Sequence, residues 1–168
     1  MRVLIDGNII LDVLQNRIPH TEMSARVWRM CETGLLDGYV SALTFANLVY
    51  VMRKELTPAK IHDVLNKLAI IFHFTDLSTA DMMRAAEMEW SDYEDAVQAA
   101  TAGRIHAEAI ITRNVRDYRQ SRIPAFAPDE FLKRVCARAA RGTVPLAPEG
   151  ATGTVPLATP PWQPQEEM

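Results

Sequence analysis

The chain has 168 residues, 48% hydrophobic and 23% charged, with a formal net charge of −3. That length supports one domain with a proper core, burying roughly two thirds of the surface its unfolded form exposes. No apolar run approaches the roughly 18 residues of a membrane span, and the acidic balance excludes a histone-like or broadly basic nucleic-acid coat while leaving room for a local basic rim beside an acidic site. Arg2-Val3-Leu4-Ile5-Asp6 is a short β-branched apolar run that meets an acid too early for a secretory signal; a cytoplasmic strand is the expectation. Gly7-Asn8 turns into a helical pattern of Ile9, Ile10, Val13 and Leu14, and a second helix over about 20–33 carries Met23, Val27, Met30 and Cys31, with Gly34 as its cap. The second strand is expected at Gly38–Ser41, followed by a helix over 42–55 and another from Thr57-Pro58 to about Ala69. Ile70–Phe74 reads as the third strand. Ser78 and Asp81 form a capping box before a helix reaching Met88.

Ser91–Asp95 precedes an alanine-rich helix, Ala96–Gly103, able to lie close to a sheet. Ala109–Thr112 is the fourth strand, Asn114–Tyr118 a helical turn, Ala125-Phe126 a minimal fifth strand and Pro128–Arg138 a closing helix. Strands alternating with helices imply a three-layer α/β/α sandwich with a parallel sheet of four or five strands. Residues 1–138 are read as that domain. Residues 139–168 are read as a flexible extension, because six of the ten prolines follow Arg141 and Gly-Thr-Val-Pro-Leu-Ala occurs at 142–147 and again at 153–158; Trp162 there keeps a docking role open. Cys31 and Cys136 lack metal-ligand spacing and are expected as free thiols.

In open α/β sheets ligands bind beyond the carboxyl ends of the strands. Three polar clusters fall there: Asp6-Gly7-Asn8, Asp92–Asp95, and Thr112-Arg113-Asn114 with Asp117. If the first and fourth strands are neighbours, Asp6, Asp95, Asn114 and Asp117 meet. Carboxylates that close repel one another unless a divalent cation neutralises them, and oxygen-only ligands suit Mg²⁺ or Mn²⁺. Taken singly, Asp92, Asp95, Asn8 and Asn114 are also ordinary helix-cap residues. Asp6 caps nothing obvious and would be costly to bury unpaired.

Val3–Asp12 resembles the opening of PIN domains, Asp92–Ala100 resembles their central acidic helix start, and Ile110–Tyr118 is similar to their late Thr-x-Asp/Asn-x-x-Asp-Phe/Tyr motif. The three matches span about residues 2–135 in the right order. The resemblance implies a Mg²⁺- or Mn²⁺-dependent endoribonuclease, similar to the VapC toxins of bacterial toxin–antitoxin pairs. On it, Asp6, Asp95 and Asp117 are catalytic metal ligands assisted by Glu94 and Asn114; Asn8, Asn47, Asp92 and Thr112 support them; Arg113 and Arg116 hold RNA. Many PIN nucleases carry Glu where Asn47 stands, and Glu94 is the compensating acid. The implied chemistry is in-line attack by a metal-activated water, leaving a 3′-hydroxyl. His20, His62, His73 and His106 show no pairing for metal-free general acid–base work. The resemblance also implies an RNA substrate, a small antitoxin partner and a homodimer, with no membrane role. Leu43, Phe45, Val49, Tyr50, Met52, Val27 and Met30 are read as core before interface. Three rivals remain: a degenerate PIN domain that binds RNA or protein without cutting, an aspartyl-nucleophile phosphatase lacking its second Asp, and a receiver domain lacking its acidic pair and Lys.

Overall fold

A computed structural model describes residues 1–139. The repeated hexapeptide, Trp162 and the rest of the Pro-rich extension lie outside the described residues.

The chain order is β1 (Arg2–Ile5), α1 (Gly7–Leu14), α2 (Thr21–Glu32), β2 (Asp37–Ser41), α3 (Ala42–Met52), α4 (Pro58–Ile71), β3 (His73–Thr75), α5 (Thr79–Glu87), α6 (Tyr93–Arg104), β4 (Ala109–Ile111), a 3₁₀ turn (Val115–Tyr118), β5 (Ala125–Phe126) and α7 (Pro128–Ala139). The boundaries are set by local chemistry. Gly34 takes φ 73° just past α2, where its amide and that of Leu36 reach back to Cys31 and Met30 carbonyls. Thr57 Oγ1 caps α4 with Pro58 in its first turn, and Ser78 with Asp81 completes the expected capping box on α5.

All five strands are parallel, in the order β3-β2-β1-β4-β5. The chain builds outward from β1 to β3, then crosses back to place β4 on the other side of β1. Val3 and Ile5 of β1, Val40 of β2, and Ala109 and Ile111 of β4 face one core with α1, α2, α3, α4 and α7. Leu4 and Ile110 point the other way, against Ala99 and Ala102 of α6. This alternation explains why β1 and β4 read as unbroken apolar runs: both faces are covered. The alanines let α6 lie close to the sheet, and α5 packs on its outer side through Ala85, Ala96 and Val97.

One strand differs from the sequence reading. The third strand starts later than Ile70: α4 continues to Ile71, and β3 is His73–Thr75, with His73 and Phe74 opposite Tyr39 and Val40. Ile61, Val64, Leu68 and Phe72 are buried at three- and four-residue spacing, a helical stripe, while Ile70 is 85% exposed. The stripe outweighs the β propensity of the isoleucines. Smaller shifts start α1 at Gly7, ahead of Ile9, and end α3 at Met52.

Cys31 is buried and Cys136 exposed, both free. Cys31 packs where β2 leaves no room: a Cβ on Gly38 would stand 2.6 Å from Cys31 Sγ and 3.0 Å from Phe72 Cδ1. Gly38→Ala should therefore lower stability by about 1–3 kcal/mol in urea unfolding, and Cys31→Ala in the same chain should recover part of the loss. An unchanged midpoint for Gly38→Ala would contradict this packing.

Candidate active site

The switch in strand order falls between β1 and β4, and the polar clusters collect at the carboxyl ends of these two strands. The Asp6 amide donates to the Ile111 carbonyl at 3.0 Å, locking the two strand ends together. Asp6 occupies the N-cap position of α1 without capping it. Its Oδ2 instead accepts from Asn8 Nδ2 at 2.6 Å and from Thr112 Oγ1 at 2.6 Å. Thr112, fully buried, also accepts from Asn8 Nδ2 at 3.1 Å and from the Asn114 amide at 3.0 Å, while Asn8 Oδ1 accepts from the Arg113 amide at 3.3 Å. Asn8 is thus a strut and not a cap. Gly7 allows α3 to approach, since a Cβ there would stand 3.2 Å from Thr44 Cγ2.

The opposite wall is the first turn of α6. Asp92 is its N-cap, accepting from the amides of Glu94 at 2.9 Å and Asp95 at 3.3 Å, so the capping explanation holds for Asp92. Glu94 Oε1 accepts from Asn47 Nδ2 of α3 at 2.6 Å. Asn47 and Glu94, set against one another in the sequence reading, are direct partners. Asp117, Asn114 and Arg116 are exposed on and before the 3₁₀ turn; the Asn114 side chain makes no cap bond. Beside Asp6 and Glu94 opens a cavity of about 160 Å³ with an apolar wall of Leu11, Leu48 and Val51.

Electrostatically the cluster is unbalanced. Burial pushes the Asp6 carboxyl up, against the Thr112 hydrogen bond, the Asn8 and Gly7 amides and the charge of Arg113. Burial also raises Glu94, with Asp6 and Asp92 adding to it and Asn47 opposing. Asp95 is pushed up to about 6, first by burial and also by the charges of Asp92, Asp6 and Asp117, against the nearby Tyr118 hydroxyl. The acids therefore feel one another across the cleft. Nearby guanidinium groups are engaged elsewhere: Arg113 Nε lies 3.2 Å from Oδ2 of fully buried Asp12, which also accepts from Ser24 Oγ at 3.0 Å. Arg104 turns inward to Asp81 and Asp76.

The donor set is all oxygen, as a hard divalent cation requires. Among the described residues no three acidic, imidazole or thiol groups close round a single point. An open set of one or two carboxylates suits Mg²⁺, which keeps several waters and completes its shell with phosphate oxygens. Both side-chain bonds to Asp6 fall on Oδ2, so Oδ1 is the oxygen on the side turned from Asn8 and Thr112 side chains.

Sequence reading missed three residues. Asp12 stood inside a quoted motif without a role, though an acid amid Ile9–Leu14 was a visible signal. Gln98, 2% exposed, donates to Thr44 Oγ1 beneath the cleft and keeps Oε1 unpartnered. Tyr118 was treated as an aromatic motif position alone.

An α/β protein with an acidic cleft at its topological switch point is the class these features define. The family model for the PIN domain matches residues 2–116, well over half of the chain, and the chain belongs to the PIN domain family. It is similar to Ribonuclease VapC1 of Aquifex aeolicus (strain VF5), 24% identical over 137 residues that cover 79% of this chain and 94% of that protein. Similar solved folds include FitAcB from Neisseria gonorrhoeae, with a TM-score of 0.57 and 21% identity over 75% of this chain and 97% of that one. A toxin–antitoxin complex from Klebsiella pneumoniae gives 0.60 and 20% over 75% and 97%. VapBC2 from Rickettsia felis bound to a promoter DNA fragment gives 0.59 and 13% over 76% and 98%.

The raised Asp95 carboxyl fixes a sign. Its folded form holds a proton more tightly than the unfolded chain, so ionisation costs stability as pH rises from about 4 through about 6, and protonation restores it. Asp95→Asn in EDTA near neutral pH should therefore melt higher than the parent, by ~1 kcal/mol after discounting for partial exposure, or a few degrees. The difference should shrink at about pH 4.5. A variant that melts lower at neutral pH would show Asp95 to be a structural cap.

Proposed function

We propose that this protein is a divalent-metal-dependent endoribonuclease that hydrolyses RNA phosphodiester bonds, and that it is the toxin of a toxin–antitoxin pair. The observation that carries the reading is the set of carboxyls, Asp6, Glu94 and Asp95, all raised by burial at one strand-end cleft, with Asp6 also raising the other two and Arg113 opposing at Asp6. Asp6 and Asp95 would hold Mg²⁺ or Mn²⁺, with Asp117, Glu94 and Asn114 completing the set. Such an ion supplies a water of lowered pKa and a Lewis acid for the scissile phosphate. The chain's own part is preorganisation. Asn8 and Thr112 fix the Asp6 carboxylate, Asp92 fixes the first turn of α6 on which Glu94 and Asp95 stand, and Asn47 fixes Glu94. Arg116, Arg119 and Arg122 are exposed beyond the 3₁₀ turn and form the basic rim that meets the RNA backbone, with Arg113 at its inner edge.

The name of the curated relative, a ribonuclease, and the titles of the toxin–antitoxin neighbours support this reading. An antitoxin segment over the cleft and a homodimer belong to the same proposal. Tyr50 of α3 supports them: read as core in the sequence, it is 54% exposed. A cytoplasmic site of action, with residues 1–138 as the nuclease domain, completes the reading.

A second reading, an RNA- or protein-binding PIN domain that does not cut, is favoured by the absence of three clustered donors among the described residues. Purified protein should cut a labelled pool of structured RNA with Mg²⁺ or Mn²⁺ and stop in EDTA. Asp6→Asn and Asp95→Asn should each lower the rate by more than about 100-fold, since loss of outer supports of a metal site alone costs 10–100-fold. RNA retained on the protein but uncut under every condition would establish the binding reading instead.

A further inference from the structure

The recess beside Asp6 and Glu94 has a wall that cation binding does not explain. Leu11 of α1 with Leu48 and Val51 of α3 form it, and apolar side chains neither ligate a hard cation nor hold a phosphate. The volume, about 160 Å³, is well under the roughly 300–1,000 Å³ of sites that enclose a whole small ligand, and it suits one flat group entering from the open side.

The polar groups around that wall differ in what they have left to give. Asn8 spends its amide on Asp6, Thr112 and the Arg113 backbone, and the Thr44 hydroxyl accepts from Ser41 and Gln98. Asn47 gives one amide hydrogen to Glu94 at 2.6 Å. A carboxamide has a second hydrogen and an oxygen besides, the donor and acceptor that read the edge of a base. An apolar wall with such an amide at its rim matches a nucleobase, which has apolar faces and a hydrogen-bonding edge. Asp6 and Glu94 line the same recess, so a phosphodiester held at these acids lies within one nucleotide of the wall. Past Met52 the chain keeps turning, with the Lys54 amide bonded to the Val51 carbonyl at 3.2 Å, which sets Lys54 one turn beyond Val51 on the side away from the acids. Arg53 and Lys54 are exposed there, their charged groups 4.1 and 5.5 Å from the centre of the Tyr50 ring, while the adjoining Glu55 is bonded to Gln15. Basic side chains at that end suit the next phosphate of an RNA strand.

We propose that this recess is a subsite for one unpaired RNA base, that of a nucleotide adjoining the scissile phosphate. The base seats on Leu11, Leu48 and Val51 with its edge toward Asn47, and the strand leaves past Arg53 and Lys54. The proposal rests on the ribonuclease reading above and adds base selectivity to it.

The test has two arms, both on the full chain. In EDTA, the methyl resonances of Leu11 and Leu48 are followed while AMP, CMP, GMP and UMP are added in turn, to the parent and to Val51→Phe, whose ring fills the recess. At least one nucleotide should shift both residues in the parent, and Val51→Phe should bind it about ten-fold more weakly. In Mn²⁺, the parent digests a random-sequence single-stranded RNA pool and the cut ends are sequenced; one base should be favoured by about ten-fold at a position adjoining the cut, the size of one well-made edge contact. If Val51→Phe fails to fold, the parent titration and the cut-end profile still decide. Cutting without base preference, or equal nucleotide binding by a folded Val51→Phe, would overturn the subsite and leave the nuclease standing. Methyl shifts with nucleotide but no cut RNA would remove the nuclease reading and keep the recess as a base site. Methyls that ignore all four nucleotides but move as the protein is concentrated would assign the recess to a second copy of the chain and overturn the proposal.

Discussion

The polar end of the sheet depends on how one carboxylate is held. Asp6 Oδ2 receives two bonds of 2.6 Å, one from Asn8 at the start of α1 and one from Thr112 just past β4, residues far apart in the chain. The parallel register makes this possible, since Ile5 of β1 lies opposite Ile111 of β4 and each chain then takes one more step into the cleft. An aspartate at an N-cap position ordinarily spends itself on the free amides of its helix. Here no side-chain cap bond of full geometry forms, and the carboxylate ties two strand ends together through Oδ2. The rest of the cleft is measured from that anchor: Gly7 admits α3, α3 supplies Asn47, and Asn47 holds Glu94.

A fold built only for stability would not leave these acids so poorly matched. Asp6, Glu94 and Asp95 are all raised chiefly by burial, Glu94 and Asp95 further by neighbouring carboxylates, while Thr112, the Asn8 and Gly7 amides and Arg113 oppose the shift at Asp6. Elsewhere the same chain gives its buried acids an arginine each, although Asp12 Oδ1 is buried without a hydrogen bond. Asp81, 2% exposed at its side chain, takes both a capping bond and Arg104 Nε at 2.7 Å; Asp12, wholly buried, has Ser24 and Arg113. The contrast within one molecule is more informative than any shift alone. Asp81 and Asp12 receive arginines in ion pairs, whereas the acids at the switch point receive only neutral hydrogen-bond donors at close range.

Much of this was legible beforehand because it is local. Apolar runs on β1 and β4, the Ser78 capping box, the small face of α6 and the acids ending β1 and opening α6 each declare themselves within a few residues. The neighbouring of β1 and β4 was a condition on the meeting of the acids, and the parallel register of the two strands meets it. What stayed hidden depends on distance through space. Ile70 and Ile71 have a strand's composition, and only the packing of Leu68 and Phe72 assigns them to α4. Asn47 reads as a missing acid until the fold sets it against Glu94.

Arg113 shows why charge in a sequence cannot be assigned a role by proximity. It sits between Thr112 and Asn114 at the edge of the acidic site, which suggested a hand for RNA. The structure gives its Nε to Asp12, an acid on the far side of α1's first turns, and seals that pair against Ser24. Breaking such a pair on one side leaves a buried charge, so the arginine is anchored from within. Its side chain nonetheless remains 29% exposed and lines a cavity of about 320 Å³ with His20 and Ser24. An anchored guanidinium loses less rotamer freedom on meeting a phosphate than a free surface arginine does, because the internal ion pair already fixes its plane. The internal pair and an outward phosphate contact are therefore compatible uses of one side chain: the first fixes the direction in which the second can be made.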